Sequence, residues 1–570
     1  MQQKKRQRVA MLSVFHKKGI IRFARSLVRR GFLILASGGT AKHLKKAGVP
    51  VTDTAEFLGA AYARLFDRIS REHDHIVPRR VLNAIRREIG SAILGHRVVT
   101  LDQRLYGGVL ARDIQQDLDD LAKICAEWID LVCIDFYPFD RVAAKPGVTR
   151  DELIEMIDIG GPGLVKAGAK GGRIVICDPK DRSRVLRALR RHGDVPDALR
   201  RELVDKAFFE VTKYYLSVAH HLSGGKYDGM LGVLHTVCKY GENPHQTPAG
   251  FYSTESGDSL GLDAFKLIAG SLPSYVNFTD YQRALQGISH VREGFRVNGL
   301  RARYIVIIYK HGNPCGAAYG NSKTDVIRRA IDGNPRAATG GIVVANFTIG
   351  IEEARILRTR GIKKNKRGLD GVLAPAVTPE AVKVLKRPQG MCRVFTNRAL
   401  RTPSLDRSII RHTVRGGFLR QPNFEYVFRY KHPKTEVHGR LTTQQRSDLV
   451  FAWALCATST SNTITLVKNR MLIGNGTGQD DRVGAAQLAL RKARQHRHST
   501  KGAVSWSDSF FPFVDGVRVL VLAGIVVIGT CSGSVMKGGG DAAVKKFLLR
   551  RKVTLVWVPV MVGRNFFGHC

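Results

Sequence analysis

Residues 32–40, FLILASGGT, place an apolar strand directly before a glycine-rich turn and the start of a helix. The preceding residues repeat this pattern, because the apolar stretch VAMLSV at residues 9–14 is followed by an amphipathic segment from Gly19 to Arg30. Strands that alternate with helices are typical of a parallel sheet with helices on its faces. The sequence therefore predicts an α/β fold for its first part.

The turn Ser37-Gly38-Gly39-Thr40 is a candidate anion-binding site. Its backbone N–H groups and hydroxyls stand at a helix N-terminus, which favours a phosphate, and glycine lets the backbone approach an anion closely. An ordinary turn capped by Ser or Thr is the alternative that this tetrapeptide leaves open. Ser13 and Lys17 follow the first strand and fall at the same edge of the predicted sheet, so they favour phosphate binding.

The length of 570 residues exceeds one ordinary core and predicts at least two domains. Ser223-Gly224-Gly225 marks the expected boundary, which gives domains 1–222 and 223–570. The second part contains two groups of apolar strands separated by helical stretches, which predict two similar strand–helix lobes. These groups are YIVIIY, GGIVVAN and DGVLAPAV, then TITLVKN, VLVLAGIVVIG and VTLVWVPV.

The formal net charge is +43, from 91 Lys and Arg against 48 Asp and Glu, so we expect an anionic partner. The basic residues are scattered along the chain, which disfavours a simple nucleic-acid-binding arm and is compatible with a phosphorylated or polycarboxylate substrate. The nine cysteines form no C-x-x-C pair, so we expect neither a disulfide framework nor a structural metal. There is no signal-peptide pattern and no apolar run of membrane-spanning length, which predicts a cytoplasmic protein without a membrane partner.

Lys310-His311-Gly312-Asn313 follows the apolar strand IVIIY, at the edge where open α/β sheets bind ligands. Histidine is suited to take a proton near neutral pH, and an adjacent lysine can stabilise developing negative charge. A lone histidine after a strand is more often structural, but the Lys-His pair in a Gly/Pro-rich loop favours catalysis.

A third set of polar residues occurs near the C-terminus. Asn462 is a candidate donor to a carbonyl oxygen that gains charge. The run GNGTGQDDR at 474–482 lacks both the Walker ending and the G-x-G-x-x-G spacing, which disfavours a nucleoside triphosphate or a dinucleotide. Asp508 and the aromatic residues of SDSFFPF at 507–513 could hold a flat ring, although FFPF is equally suited to a core.

Taken in order, these motifs resemble the AICAR transformylase/IMP cyclohydrolase family of late purine biosynthesis. The strings that carry the resemblance are IDIGG (157–161), YGENPHQ (240–246), KHGNPCGAA (310–318), GGFLRQ (416–421), DLVFAW (448–453), SDSFFPF (507–513) and CSGS (531–534). The resemblance implies a methylglyoxal-synthase-like cyclohydrolase domain followed by a transformylase domain of two cytidine-deaminase-like lobes without the zinc. It also implies a homodimer, the ligands AICAR, formyl-AICAR and IMP, 10-formyltetrahydrofolate as cosubstrate, and no metal requirement.

The resemblance also implies roles for individual residues. In the transformylase it assigns catalysis to Lys310, His311 and Asn462, and substrate binding to Lys239, Tyr240, Gly241, Gly316, Arg482, Asp508, Phe511 and Arg564. In the first domain it assigns catalysis to Tyr137, Asp158 and Lys170, and substrate binding to Ser13, Lys17, Ser37, Gly38, Gly39, Thr40, Arg97 and Thr100. Asp158 stands near a helix start, where a solvated cap is the alternative role.

The chain departs from the family pattern at several positions. Substituted residues are Lys239 for Arg, Thr460 for Lys, Val99 for Lys, Asp102 for His and Asp135 for Asn, and the basic segment 62–95 resembles an insertion. Because valine carries no charge and donates no hydrogen bond, we expect weak ring closure that Val99→Lys would raise. The alternative is that Lys17, Lys170 or a basic residue of the inserted segment, such as Arg79 or Arg86, reaches the same place. Two other functions fit parts of the sequence: a basic nucleic-acid-binding protein and a non-catalytic purine-nucleotide-binding protein.

Overall fold

The computed structural model describes residues 6–90, 98, 100–362, 365–535 and 540–565. The chain divides into two units, Met1–Leu231 and Gly232–Cys570. The long helix that ends at Leu222 stops directly before the predicted boundary at 223–225, and the boundary between the units follows nine residues later, at Leu231.

The first unit is built on a five-stranded sheet in which every pairing is parallel. Its strands are β1 Arg8–Val14, β2 Phe32–Ala36, β3 Thr52–Asp53, β4 Leu131–Asp135 and β5 Ile174–Ile176, in the order β3-β2-β1-β4-β5. Strands β1 and β4 are buried along almost their whole length, as expected for a parallel sheet with helices on both faces.

Eleven helices accompany this sheet in the part of the first unit that the structure describes. They are α1 Ile20–Val28, α2 Gly38–Lys46, α3 Thr54–Glu72, α4 Arg79–Gly90, α5 Gln103–Leu110, α6 Gln115–Lys123, α7 Phe139–Ala143, α8 Arg150–Glu155, α9 Gly160–Lys170, α10 Arg182–His192 and α11 Asp197–Leu222. Helices α3 and α4 pack against each other and contain most of the basic segment predicted to be an insertion.

The second unit contains a twelve-stranded sheet and two separate hairpins. Its strands are β6 Val233–Val237, β7 Gly250–Ser253, β8 Lys266–Ala269, β9 Tyr304–Lys310, β10 Asn313–Gly320, β11 Ile342–Ala345, β12 Gly371–Ala374, β13 Arg393–Thr396, β14 Ile409–Val414, β15 Gly417–Pro422, β16 Glu436–His438, β17 Ile464–Lys468, β18 Met471–Gly476, β19 Val504–Ser507, β20 Val527–Cys531 and β21 Thr554–Val558. Its helices are α12 Tyr275–Val297, α13 Lys323–Gly333, α14 Ile351–Thr359, α15 Pro379–Leu385, α16 Thr443–Ala457, α17 Arg482–Gln495, α18 Val514–Leu522, α19 Gly540–Arg550 and α20 Val560–Gly563.

The large sheet consists of two halves with the same strand order. One half runs β10-β9-β11-β12-β13-β8 and the other runs β18-β17-β19-β20-β21-β16, and corresponding pairs have the same relative direction. The halves join where β10 pairs antiparallel with β18. Helices α12 and α16 precede the corresponding hairpins and pack together. The likeness of each half to a cytidine deaminase stays a prediction.

Within the described ranges, no helix has both the length and the apolar character needed to cross a membrane. The same residues contain no group of three or more His, Cys, Asp and Glu side chains arranged to hold a metal ion.

Candidate active sites

Polar side chains meet at the carboxyl ends of β1 and β2, as predicted. The hydroxyl oxygens of Ser13 and Ser37 are 2.6 Å apart. Lys17 Nζ donates to Thr40 Oγ1 at 3.0 Å, and the N–H of Val14 donates to the same hydroxyl oxygen at 3.1 Å. Gly38 and Gly39 open helix α2, whose N-terminus therefore lies at this edge of the sheet.

Burial and two charged groups at the same edge of the sheet shift the pKa of Lys17. Burial lowers the pKa of Lys17, the carboxylate of Asp135 raises it, and the guanidinium of Arg182 lowers it. Asp135 accepts the N–H groups of Phe15 and His16 at 2.6 and 3.0 Å, and lies 3.8 Å from Arg182. The Asp that replaces the family's Asn thus fixes the loop that carries Lys17. Sequence reasoning did not single out Arg182, which lies far from these residues along the chain.

Tyr137, Asp158 and Thr100 form a neighbouring group. The N–H of Gly161 donates to Asp158 at 2.7 Å, and a side chain on Gly160 would lie only 2.2 Å from the hydroxyl of Thr100. Burial raises the pKa of Asp158, while the backbone N–H groups of Gly161 and Tyr137 lower it. Burial also raises the pKa of the Tyr137 hydroxyl, and so does the charge of Asp158.

Lys170 does not join this group. It is the last residue of α9, whereas Asp158 precedes the first residue of that helix, so roughly 15 Å of helix separates the two ends. The side chain of Lys170 is exposed. Arg97 and Val99 lie outside the described residues.

In the second unit, Lys310 and His311 lie at the hairpin turn between β9 and β10. His311 and Gly312 both have positive φ, 51° and 72°, which is the conformation of a two-residue turn that follows the twist of the strands. Lys310 Nζ donates to the carbonyl oxygen of Thr339 at 3.0 Å. Beneath the turn, the buried Asp280 of α12 accepts the N–H of Gly312 at 2.6 Å.

Asn313 connects this turn to the segment that contains Asn462. Its Oδ1 accepts the N–H of Thr460 at 2.8 Å, and its Nδ2 donates to Thr460 Oγ1 at 3.1 Å. Asn462 Nδ2 donates to the carbonyl oxygens of Gln479 and Asp480 at 2.9 and 3.1 Å. The amide donors of Asn462 are therefore engaged here, and they must turn to reach a substrate oxygen.

Asp508 links the same segment to Arg482. The hydroxyl of Ser461 donates to Asp508, the N–H of Thr463 donates to it at 3.1 Å, and Arg482 lies 3.5 Å from it. Asp508 is fully buried, so any effect of its predicted role on a ligand would pass through these neighbours.

In this region the arginine side chains contact the ring of Phe510 and not that of Phe511. Phe511 is 2% exposed and packs into the core of the second half of the sheet, which leaves no face for a ligand. The guanidinium carbons of Arg482 and Arg564 lie 5.9 and 5.3 Å from the ring centre of Phe510. Adjacent aromatic residues point in different directions, and the sequence alone did not distinguish them.

Backbone contacts fix the places of the remaining predicted residues of this unit, Lys239, Tyr240, Gly241 and Gly316. The N–H of Lys239 donates to the carbonyl oxygen of Pro273 at 3.1 Å, and the carbonyl oxygen of Tyr240 accepts the N–H of Tyr275 at 3.1 Å, so the segment that follows β6 lies beside the start of α12. Gly241 is buried in its own turn. Gly316 is also buried, and a Cβ there would lie 2.1 Å from the carbonyl oxygen of Ala330, so this glycine permits close packing of β10 on α13.

A cavity of about 290 Å³ opens beside the Lys310-His311 turn. Leu472 and Ile473 contribute apolar surface, whereas Asn475 and Lys492 contribute polar groups. Burial lowers the pKa of Lys492, whose amine donates to the carbonyl oxygen of Asn475 at 2.7 Å.

These features are those of an α/β protein with a cluster of hydroxyls and a lysine at a strand edge in one unit and a Lys-His turn in the other. Residues 172–492 match the AICARFT/IMPCHase bienzyme family, and residues 19–163 match the MGS-like domain. The chain belongs to the AICARFT/IMPCHase bienzyme family. The predicted family, the α/β fold class with a methylglyoxal-synthase-like first domain, and the enzyme class are confirmed.

Curated relatives agree over nearly the whole chain. The "Bifunctional purine biosynthesis protein PurH" of Synechocystis sp. is 34% identical over 92% of this chain and 94% of its own length. The protein of the same name from Synechococcus elongatus is 33% identical over 99% of this chain and 100% of its own, and that of Rhodopirellula baltica is 31% identical over 92% and 94%. The solved structure titled "Crystal structure of ForH" covers 38% of this chain and 100% of its own at 28% identity, with a TM-score of 0.30 that is too low to support an argument.

Proposed function

We propose that this chain performs two consecutive steps of de novo purine biosynthesis. The second unit transfers a formyl group from 10-formyltetrahydrofolate to the 5-amino group of AICAR, and the first unit closes the ring of formyl-AICAR to give IMP. The observation that carries the proposal is the Lys310-His311 turn, joined through Asn313 to the segment of Asn462 in a chain of this family.

In formyl transfer, the amine nitrogen attacks the formyl carbon of the folate. His311 removes the amine proton, Lys310 assists the departing folate nitrogen, and Asn462 stabilises the oxyanion. Arg482, Arg564 and Lys239 supply positive charge for the nucleotide phosphate. The partly apolar cavity next to the turn, with Lys492 on its wall, supports binding of a flat ring that carries an anionic group.

Ring closure uses the first unit. The phosphate binds at the N-terminus of α2, where it contacts Ser13, Lys17, Ser37 and Thr40. Tyr137 and Asp158 act on the heterocyclic base of formyl-AICAR. The raised pKa values of Tyr137 and Asp158 support proton-transfer roles. The effect of Val99 on this step stays a prediction, as does the role of Lys170.

The cosubstrate, the cytoplasmic location, the homodimer and the absence of a metal requirement are part of this proposal and rest on the family. Nucleic acid binding stays a separate prediction from the charge of +43. Assaying formyl transfer and ring closure separately on the purified protein tests both proposed activities.

His311→Ala is the decisive variant for formyl transfer. A general base acts mainly in the transition state, so we expect kcat to fall about a hundredfold or more while AICAR binding stays nearly unchanged. Steady-state kinetics and calorimetry measure the two effects. His192→Ala, at the exposed C-terminal end of α10 in the first unit, serves as the control. Near-full turnover by His311→Ala would contradict the assignment.

A further inference from the structure

The turn that carries His311 is held from below by a carboxylate. Asp280 is 8% exposed and accepts the N–H of Gly312 at 2.6 Å. Burial raises the pKa of Asp280, whereas the N–H groups of Gly312 and His311 and the charge of the imidazole lower it. His311 has φ of 51°, in the left-handed region that a residue with a side chain rarely adopts. The turn therefore needs such an anchor.

In the other half of the sheet, a helix carboxylate also accepts a backbone N–H of a two-residue turn. Asn469 and Arg470 form the turn between β17 and β18, with φ of 49° and 69°. Asp448 of α16 accepts the N–H of Arg470 at 2.9 Å. Asp280 and Asp448 stand at corresponding positions of their helices, counted from the capping residues Ser274 and Thr442.

The two turns differ in the side chain at their first position. The second turn has Asn469 where the first has His311, so it offers no imidazole. Asp448 also accepts the hydroxyl of Tyr319 at 2.7 Å and the amide of Gln444 at 2.8 Å, which ties it to the protein interior. Asp280 thus lies beneath a turn that carries a candidate general base, His311, whereas Asp448 lies beneath a turn that carries no such group.

We propose that Asp280 is a positioning residue for formyl transfer, because its carboxylate holds the His311-Gly312 turn in the conformation that directs the imidazole to the reacting amine. This inference rests on the proposed function of His311. Asp280 acts through the backbone of the turn. Asn313 holds the same turn from the side through its two hydrogen bonds with Thr460.

The test compares Asp280→Asn with Asp448→Asn. An amide keeps the shape but loses the charge, so it weakens the anchor in both halves. A misplacement of about 1 Å can cost a hundredfold in rate, so we expect Asp280→Asn to lower kcat about tenfold to a hundredfold and to change KM for AICAR less than about threefold. Asp448→Asn should lower the thermal midpoint at least as much as Asp280→Asn does, because Asp448 also accepts the hydroxyl of Tyr319 and the amide of Gln444, yet it should leave kcat within about twofold. Asp280→Glu, which keeps the charge on a longer side chain, should have an intermediate kcat and provides a second variant if Asp280→Asn folds poorly.

A double-mutant cycle separates positioning from general damage. In the His311→Ala background, Asp280→Asn should cause no further loss of formyl transfer, because the group that it positions is gone. Equal loss of kcat in Asp280→Asn and Asp448→Asn, or the same fold-loss with and without His311, would overturn the inference. If His311→Ala alone keeps full turnover, the proposed function itself fails, and this result is distinguishable from failure of the role of Asp280.

Discussion

Lys17 is the residue of the proposed phosphate site whose ionisation we expect to depend on ligand binding. Burial lowers its pKa below 10.5, and a bound phosphate would stabilise the ammonium form and raise the pKa again. Binding of IMP to the first unit should therefore take up protons at alkaline pH, and the affinity should fall as pH rises, starting below pH 10.5. Calorimetry in two buffers of different ionisation enthalpy measures both effects.

Lys17→Met is the control for this prediction. It removes the titrating amine, so the pH dependence in the alkaline range should disappear and the affinity should be uniformly weaker. An affinity of the unmodified protein that is constant across this range, with no proton uptake, would show that Lys17 does not contact the phosphate.

At the scale of elements, two glycines allow strands to pack closely on helices in the repeated halves of the sheet. A Cβ on Gly316 would lie 2.1 Å from the carbonyl oxygen of Ala330 in α13, and one on Gly474 would lie 2.3 Å from that of Ala489 in α17. Because backbone atoms cannot move aside cheaply, Gly316→Ala and Gly474→Ala should each destabilise the second unit by roughly 1–3 kcal/mol. Thermal unfolding followed by circular dichroism measures the loss.

Gly484→Ala is the matched control. Its Cβ would meet nothing closer than a carboxylate oxygen of Asp481 at 3.6 Å, and alanine favours the helix, so the midpoint should stay the same or rise. A stable Gly316→Ala protein would contradict the close packing and would leave Gly316 available for its predicted role in substrate binding.

At the scale of the whole molecule, two exposed hairpins support the proposed homodimer. Among the described strands, β6 pairs only with β7, and β14 pairs only with β15. Phe418 and Leu419 are 43% and 60% exposed, and Val237 and Tyr252 are 56% and 58% exposed. Apolar surface of this kind commonly marks a protein–protein interface.

Replacing both Phe418 and Leu419 by serine should shift the protein from dimer to monomer and lower formyl transfer, if the site draws on both chains. Analytical ultracentrifugation with an activity assay measures both effects. Ile76→Ser changes an apolar residue that is even more exposed, 93% between α3 and α4, and should leave the assembly unchanged. An unmodified protein that sediments as an active monomer would refute the proposal.

Local patterns in the sequence determined much of this protein. Apolar runs predicted the strands at 9–14, 32–36 and 304–310, because a buried parallel or central strand requires such a run over its whole length. The glycine-rich turn before α2 predicted that Ser37 and Thr40 stand at a helix N-terminus, because such a turn is encoded by neighbouring residues. Phosphate binding there stays a prediction. The order of the motifs was enough to identify the family.

Only the tertiary structure decided which distant residues meet. Asp280 reaches the Gly312 turn across 32 positions, and Asn313 reaches Thr460 across 147, so neither contact leaves a periodic signal in the sequence. Packing also decided that Phe511 faces the core while Phe510 faces the arginines, and that Lys170 lies at the far end of α9 from Asp158. Sequence patterns report local conformation, whereas a site depends on which sheet edges and helices come together in space.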